Sequence, residues 1–181
     1  MNKISYLDII QGTPSHETVR QKPRRPVTVL CDNIRSLYNV GSIFRTADAV
    51  GAEKLILTGI SGCPPRAEIH KAALGAEQIV PWEYVKQPEV AIQQLKQAGY
   101  KIVVLEHTDS GKDVHEAEYN YPMCLVAGHE ITGVSDEVIA LADMAVEIPM
   151  FGLKQSLNVS VAFGIAIFEI IHHLPHLPDN R

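Results

Sequence analysis

The stretch Ile148-Pro-Met-Phe-Gly-Leu-Lys-Gln-Ser156-Leu-Asn158-Val-Ser-Val-Ala-Phe-Gly164-Ile-Ala-Ile-Phe-Glu169 divides at Ser156 into two parts with different physics. Up to Gln155 it is a loop, because Pro149 cannot donate a backbone hydrogen bond and Gly152 tolerates positive φ. From Ser156 to Leu174 it is almost wholly apolar. Leu157, Val161, Ile165 and Phe168 fall on one row at helical spacing, and Val159, Ala162, Ala166 and Ile170 on a second. A helix apolar on two rows is expected to pack against a sheet, a second subunit, or both. Its polar residues, Ser156, Asn158 and Ser160, cluster in the first turns, where free N–H groups and the positive dipole end lie. Ser156 therefore reads either as a helix N-cap or as a polar group aimed at the loop mouth.

Working outward, 181 residues predict one domain with a substantial core, and 46% apolar with 20% charged residues exclude a disordered chain. The C-terminal apolar run is interrupted by Glu169 and His172-His173, and the N-terminus lacks a long apolar core, so a soluble cytoplasmic protein is expected. Cys31, Cys63 and Cys124, odd in number and far apart, fit reduced thiols. The net charge of −5 is unevenly spread: residues 1–75 carry ten Lys/Arg against six Asp/Glu, residues 76–181 six against fifteen. Arg20, Lys22, Arg24 and Arg25 lie within six positions and could track a phosphate backbone or form a merely solvated linker.

Residues 1–26 read as a loosely packed basic arm, 27–174 as the folded domain and 175–181 as a frayed tail holding His176. Strands are predicted at 27–31, 54–58, 78–83, 101–105, 123–127 and 144–148, and helices at 39–50, 68–74, 88–98 and 135–142, besides the C-terminal one. Gly51 stands where a helix ends in the left-handed region, and Pro88 where one begins. Strands that are continuous apolar runs alternating with helices predict an α/β fold, a parallel sheet with helices on both faces.

In such sheets ligands bind beyond the carboxyl ends of the strands. Three strand ends carry conspicuous loops, 105–111, 127–133 and 148–156, rich in glycine and poor in bulky polar groups, which suits a ligand gripped by backbone amides and apolar walls. No G-x-G-x-x-G, no G-x-x-x-x-G-K-[ST] and no G-x-S-x-G is present, which argues against a dinucleotide oxidoreductase, a P-loop enzyme and an α/β-hydrolase.

Three ordered segments carry a resemblance. Asn33-Ile-Arg-Ser-Leu-Tyr-Asn39-Val-Gly41-Ser-Ile-Phe-Arg45-Thr-Ala47-Asp-Ala-Val-Gly51 resembles motif 1 of the SpoU/TrmH-like branch of the SPOUT RNA methyltransferases. Leu125-Val-Ala-Gly128-His-Glu130-Ile-Thr-Gly133-Val resembles motif 2, and Ile148 to Ala162 motif 3. The resemblance spans about residues 27–172. It implies an α/β domain whose C-terminal segment threads a loop to form a deep trefoil knot, a homodimer built on the last helix, S-adenosylmethionine as cofactor, and methyl transfer to a ribose 2′-hydroxyl of RNA. The short architecture is more like tRNA modifiers than large rRNA modifiers. A catalytically silent RNA-binding protein on the same scaffold is the alternative of another class, and retention of the motif residues argues against it.

Carried over by position, the resemblance gives Leu105, Glu106, His107, Gly128, Ile148, Met150 and Leu157 to the cofactor, and Asn39, Arg45, Glu130, Ser156 and Asn158 to catalysis and the RNA-facing edge. Competing structural roles are open for Glu130 (bonding loop amides), Asn158 (bonding the knot backbone) and Met150 (core filler). His107 and His129 have no partner legible for general-base work, Trp82 reads as core or interface, and His172, His173 and His176 as tail rather than a metal site.

Overall fold

The computed structural model describes residue 1 and residues 3–174; His176 and the rest of the expected tail lie outside the described residues. The chain runs α1 (Tyr6–Gln11), α2 (His16–Gln21), β1 (Arg25–Asp32), α3 (Leu37–Ala49), β2 (Ala52–Thr58), α4 (Ala67–Ala73), a 3₁₀ turn (Ala76–Gln78), β3 (Trp82–Val85), α5 (Pro88–Gln97), β4 (Lys101–Leu105), β5 (Lys112–Asp113), β6 (Met123–Ala127), α6 (Asp136–Ile139), β7 (Met144–Glu147) and α7 (Val159–His172). The strands form one seven-stranded sheet in the order β3-β2-β1-β6-β4-β7-β5. Every pairing is parallel, with Val29 opposite Leu55 on one side and Leu125 on the other, and Val103 opposite Leu125.

Alternation along the strands sends neighbouring side chains to opposite faces, which is why parallel strands need apolar residues throughout. Val27, Val29, Leu55, Leu57, Met123 and Leu125 join Phe44 of α3, Ile69 of α4 and Phe163, Ile167 and Ile170 of α7 in one core. Leu30, Ile56, Ile102, Val104 and Val126 join Ala91, Ile92 and Leu95 of α5 and Val138 of α6 in the other. The expected parallel sheet with helices on both faces is thus present.

Several local readings are corrected. The residues around Gln78 form a 3₁₀ turn, and β3 starts only at Trp82. The two-residue β5 at the sheet edge was not anticipated. α6 is half the expected length. The last helix starts at Val159, three residues later than expected, and its N-cap is Asn158, whose side chain accepts from Ser160 N–H, not Ser156. Residues 1–26 contain two short helices, and Arg20 and Arg24 tie them to the sheet: Arg20 donates to the Gln78 carbonyl, Arg24 to those of Ala52 and Ile79. His173 is no frayed group either; it pairs with Glu169 at 3.1 Å and lies against the Tyr119 ring. Trp82 is edge-on to Phe44 and about a third exposed. Among the described residues no helix is long and apolar enough to cross a membrane.

Candidate active site

The loops after β4, β6 and β7 meet at the carboxyl edge of the sheet and enclose a cleft. Leu105, Glu106, His107, Gly128, Ile148, Met150 and Leu157 all line it, together with Glu130 and Ser156. Asn39 and Asn158 stand beside the cleft rather than in its lining, and Arg45 is exposed on α3 outside it. Residues far apart in sequence are thereby brought to one place, with the exception of Arg45.

Hydrogen bonds fix the polar rim. Glu130 Oε2 accepts the Arg35 N–H at 3.0 Å, and its Oε1 accepts the Ser36 N–H and the Asn39 side-chain amide, each at 2.8 Å. Desolvation by itself would raise this carboxyl, but the three donors outweigh it and hold Glu130 below the ordinary carboxylate range. Asn39 Oδ1 in turn accepts from Asn158 Nδ2 at 3.2 Å. One relay therefore connects the loop after β6, the N-terminus of α3 and the N-terminus of α7. A carboxylate so engaged is an anchor for the start of α3 and a weak candidate for a mobile base.

Glu106 is spent in a similar way: Oε1 accepts the His107 N–H and Oε2 the Val134 N–H at 2.8 Å. It fastens the loop after β6 to the end of β4 and lines the cleft as a fixed wall. Gly128 lies under that loop. A Cβ there would sit 2.2 Å from the Val134 nitrogen and 2.3 Å from the Gly133 carbonyl carbon, so glycine is required first by the protein's own backbone.

Both histidines have roles that the sequence did not disclose. His129 Nδ1 accepts the N–H groups of Ile131 and Thr132 at 3.1 and 3.3 Å, which leaves its proton on Nε2. His107 faces two acceptors, Glu147 Oε2 at 2.9 Å and the Gln155 carbonyl at 3.1 Å. The Glu147 bond, together with that carbonyl, raises its pKa despite partial burial. Glu147 lines the cleft and was missed; a lone charge ending the apolar strand Met144-Ala-Val-Glu147 was the available signal. Asp32 was missed as well. It is fully buried, accepts the Ser135 N–H and hydroxyl at 2.7 Å, and so braces the exit of the same loop.

The remaining walls are apolar: Leu105, Ala127, Ile148, Met150, Leu157, Val159 and Ala162. Such a cleft accepts an organic ligand with one apolar body and a few polar groups facing backbone amides. Cys31 and Cys124 are buried, and burial pushes both thiols far above their ordinary range, so neither is a nucleophile. Among the described residues no group of three or more His, Cys, Asp or Glu is arranged to hold a metal ion.

Residues 26–168 match the SpoU rRNA Methylase family. The chain belongs to that family. Within it, the chain is 36% identical over 167 residues to the tRNA (guanosine(18)-2′-O)-methyltransferase of Aquifex aeolicus, covering 92% of this chain and 78% of that one. It is 35% identical to the Escherichia coli enzyme of the same name over 150 residues, 81% of this chain and 63% of that one. The crystal structure of the A. aeolicus TrmH/SpoU tRNA-modifying enzyme superposes with a TM-score of 0.79 at 33% identity, covering 87% of this chain and 80% of that chain. The AdoMet-bound rRNA methyltransferase of Sinorhizobium meliloti superposes at 0.77 with 29% identity, covering 87% and 61%. Two of this chain's three motif segments, the loop after β6 and the loop from β7 into α7, line the cleft, and the third, α3 with its leading loop, stands beside it and is joined to it through Glu130.

Proposed function

We propose that this chain is an S-adenosylmethionine-dependent ribose 2′-O-methyltransferase acting on tRNA. The observation that carries the reading is convergence: seven residues from three separate loops, assigned to the cofactor by resemblance, line one cleft with Glu130 and Ser156 at its rim. The donor set suits the cofactor. Leu105, Ile148, Met150 and Leu157 offer apolar contact, the Gly128 backbone has no side chain in the way, and no phosphate-binding glycine fingerprint is present. Relatives at 34–36% identity carry the tRNA (guanosine(18)-2′-O)-methyltransferase name, which favours tRNA over rRNA.

When bound, S-adenosylmethionine supplies a methyl group on a cationic sulfur. The chain's own residues orient the ribose. Asn39 and Asn158, held by the Glu130 relay, present a rigid amide edge beside the cleft. Arg45, exposed and free of ion pairs among the described residues, is the cation that receives a substrate phosphate and aligns the 2′-hydroxyl. Ser156 lines the cleft and is a further polar residue available to the nucleotide.

The SpoU fold also implies a knotted C-terminus. The path supports it: β7 lies between β4 and β5, and the loop that follows returns across the end of β4, where His107 meets Gln155, before α7 docks on α3. A homodimer is supported by α7, whose row Val161, Ile165 and Phe168 is 51, 38 and 55% exposed in the single chain. A cytoplasmic protein, with the basic arm as an RNA-contacting extension of residues 27–174, fits a tRNA substrate.

Purified protein, methyl-labelled S-adenosylmethionine and separate tRNA and rRNA pools test the function. The expected result is label in tRNA, mapping to a ribose 2′-oxygen. Label confined to rRNA redirects the substrate, and absence of label in either, with cofactor bound, leaves only an RNA-binding scaffold.

A further inference from the structure

The loop of residues 148–157 forms one wall of the cleft, yet its side chains are exposed toward the tip: Phe151 is 96% and Leu153 90% exposed. Apolar burial therefore does not hold the tip in place. Its link to the sheet near the tip is the Gln155 carbonyl on His107 Nε2, and the same ring meets Glu147 through Nδ1. A carbonyl and a carboxylate are both acceptors only, so each ring nitrogen must carry a proton for both contacts to be hydrogen bonds. A neutral imidazole has one N–H and leaves one contact with two lone pairs facing each other.

We infer that His107 is a positioning residue that acts as a protonation-dependent latch: its doubly protonated ring bridges Glu147 and Gln155, and losing one proton frees the loop of residues 148–157 from the end of β4. The charged groups facing the ring are Glu147 from β7 and Glu106 from the end of β4, both anionic and both favouring the proton. Lys154, on the loop itself, makes no ion pair among the described residues. The sign follows from a folded-state pKa raised above that of a free histidine. The latch is fully closed below the ordinary value of about 6.5 and opens as pH rises through the folded value. Loss of the Nδ1 proton breaks the ion pair with Glu147, and loss of the Nε2 proton releases Gln155. The anionic partner keeps the first, so deprotonation falls on Nε2.

The latch stands on geometry; its bearing on S-adenosylmethionine affinity rests on the function proposed above. Limited trypsin digestion tests the first part, because Lys154 is exposed in the loop. Cleavage after Lys154 is followed by mass spectrometry at pH 6.5 and pH 9.0 and normalised to a free peptide of residues 149–160. The relative rate in the parent should rise about three- to ten-fold at the higher pH, the range of one charged hydrogen bond discounted for an exposed pair. His107→Phe and His107→Gln, checked for folding by circular dichroism, should be cleaved rapidly and equally at both pH values. A flat parental ratio, or variants that keep the parental response, overturns the latch. Calorimetry with S-adenosylmethionine at the same two pH values supplies the second part. Affinity that weakens in step with cleavage supports the positioning role, and binding indifferent to pH overturns it. Absence of binding at either pH defeats the proposed cofactor while the latch is judged on cleavage.

Discussion

Arg45 is the residue on which the chemistry and the geometry are furthest apart. It is exposed, its guanidinium has no hydrogen bond or ion pair among the described residues, and it lies outside the cleft lining. A guanidinium keeps its proton and is a poor base, so the role proposed for Arg45 is to hold a phosphate in a two-pronged grip. Arg45→Ala should lower single-turnover methylation at saturating RNA at least ~100-fold, the scale of losing one positioned group, with cofactor affinity within a few-fold of the parent. Arg45→Lys should rescue little, since a point charge does not reproduce the fork. Near-parental rates in the alanine variant would remove Arg45 from the reaction. Gly128 fails by another route. Because its missing Cβ leaves room for Gly133 and Val134, Gly128→Ala should destabilise the fold by about 1–3 kcal/mol through overpacking. It should also break the Glu106–Val134 bond before it touches any ligand. Chemical denaturation would show this, and an unchanged unfolding midpoint would return Gly128 to a purely ligand-facing role.

At the scale of elements, α7 divides its apolar residues between two jobs. Phe163, Ala166, Ile167 and Ile170 are fully buried in the sheet core, while Val161, Ile165 and Phe168 are exposed. Truncating Ile167 to Ala should therefore cost about 2–5 kcal/mol of stability within one chain. Phe168→Glu should leave that stability nearly unchanged but shift a micromolar dimer to monomer in sedimentation, and a dimer that persists in Phe168→Glu would place the interface elsewhere. Two apolar rows were legible in the sequence because helical periodicity is a local signal; which row met the sheet was not, because that depends on the angle at which the helix is docked. β4 and β6 were legible to the residue, since each is a continuous apolar run with sharp ends, Lys101 and Glu106 for β4 and Pro122 and Gly128 for β6. β5 was not, having only two residues and no hydrophobic pattern. The same limit applied at the site. Glycine-rich loops and polar motif positions were visible one by one, whereas the long-range partners of Glu130, Glu106 and His107 lie 28 to 95 positions away and exist only once the sheet has formed.

Across the whole molecule the difficulty is charge, for a chain with a net charge of −5 must hold a polyanion. The basic excess lies in residues 1–75, and the arm's cations are not equivalent. Arg20 and Arg24 spend their guanidinium groups on the carbonyls of Gln78, Ala52 and Ile79, so they act as bolts between the arm and the sheet. Burial lowers the Arg24 pKa, and nearby Asp48 offsets this in part, as expected for a structural cation. Lys22 is exposed and Arg25 half-buried, and among the described residues neither side chain has a hydrogen-bond or ion-pair partner, so both are candidate phosphate contacts, as is exposed Lys3. Deleting the whole arm would mix these two roles; point substitutions separate them. Each phosphate neutralised contributes about 0.9 to the slope of log affinity against log salt on a duplex, and about 0.7 on a single strand. Lys22→Gln with Arg25→Gln should therefore weaken tRNA binding at low salt and flatten that slope by about 1.4–1.8. The melting temperature and cofactor affinity of this variant should not move. Arg24→Ala should do the converse, lowering the melting temperature because three-way contact between arm, β2 and the 3₁₀ turn is lost, while leaving the slope alone. A parental slope in the Lys22/Arg25 variant would mean that these two cations meet no phosphate, leaving Arg45 on α3 as the candidate contact.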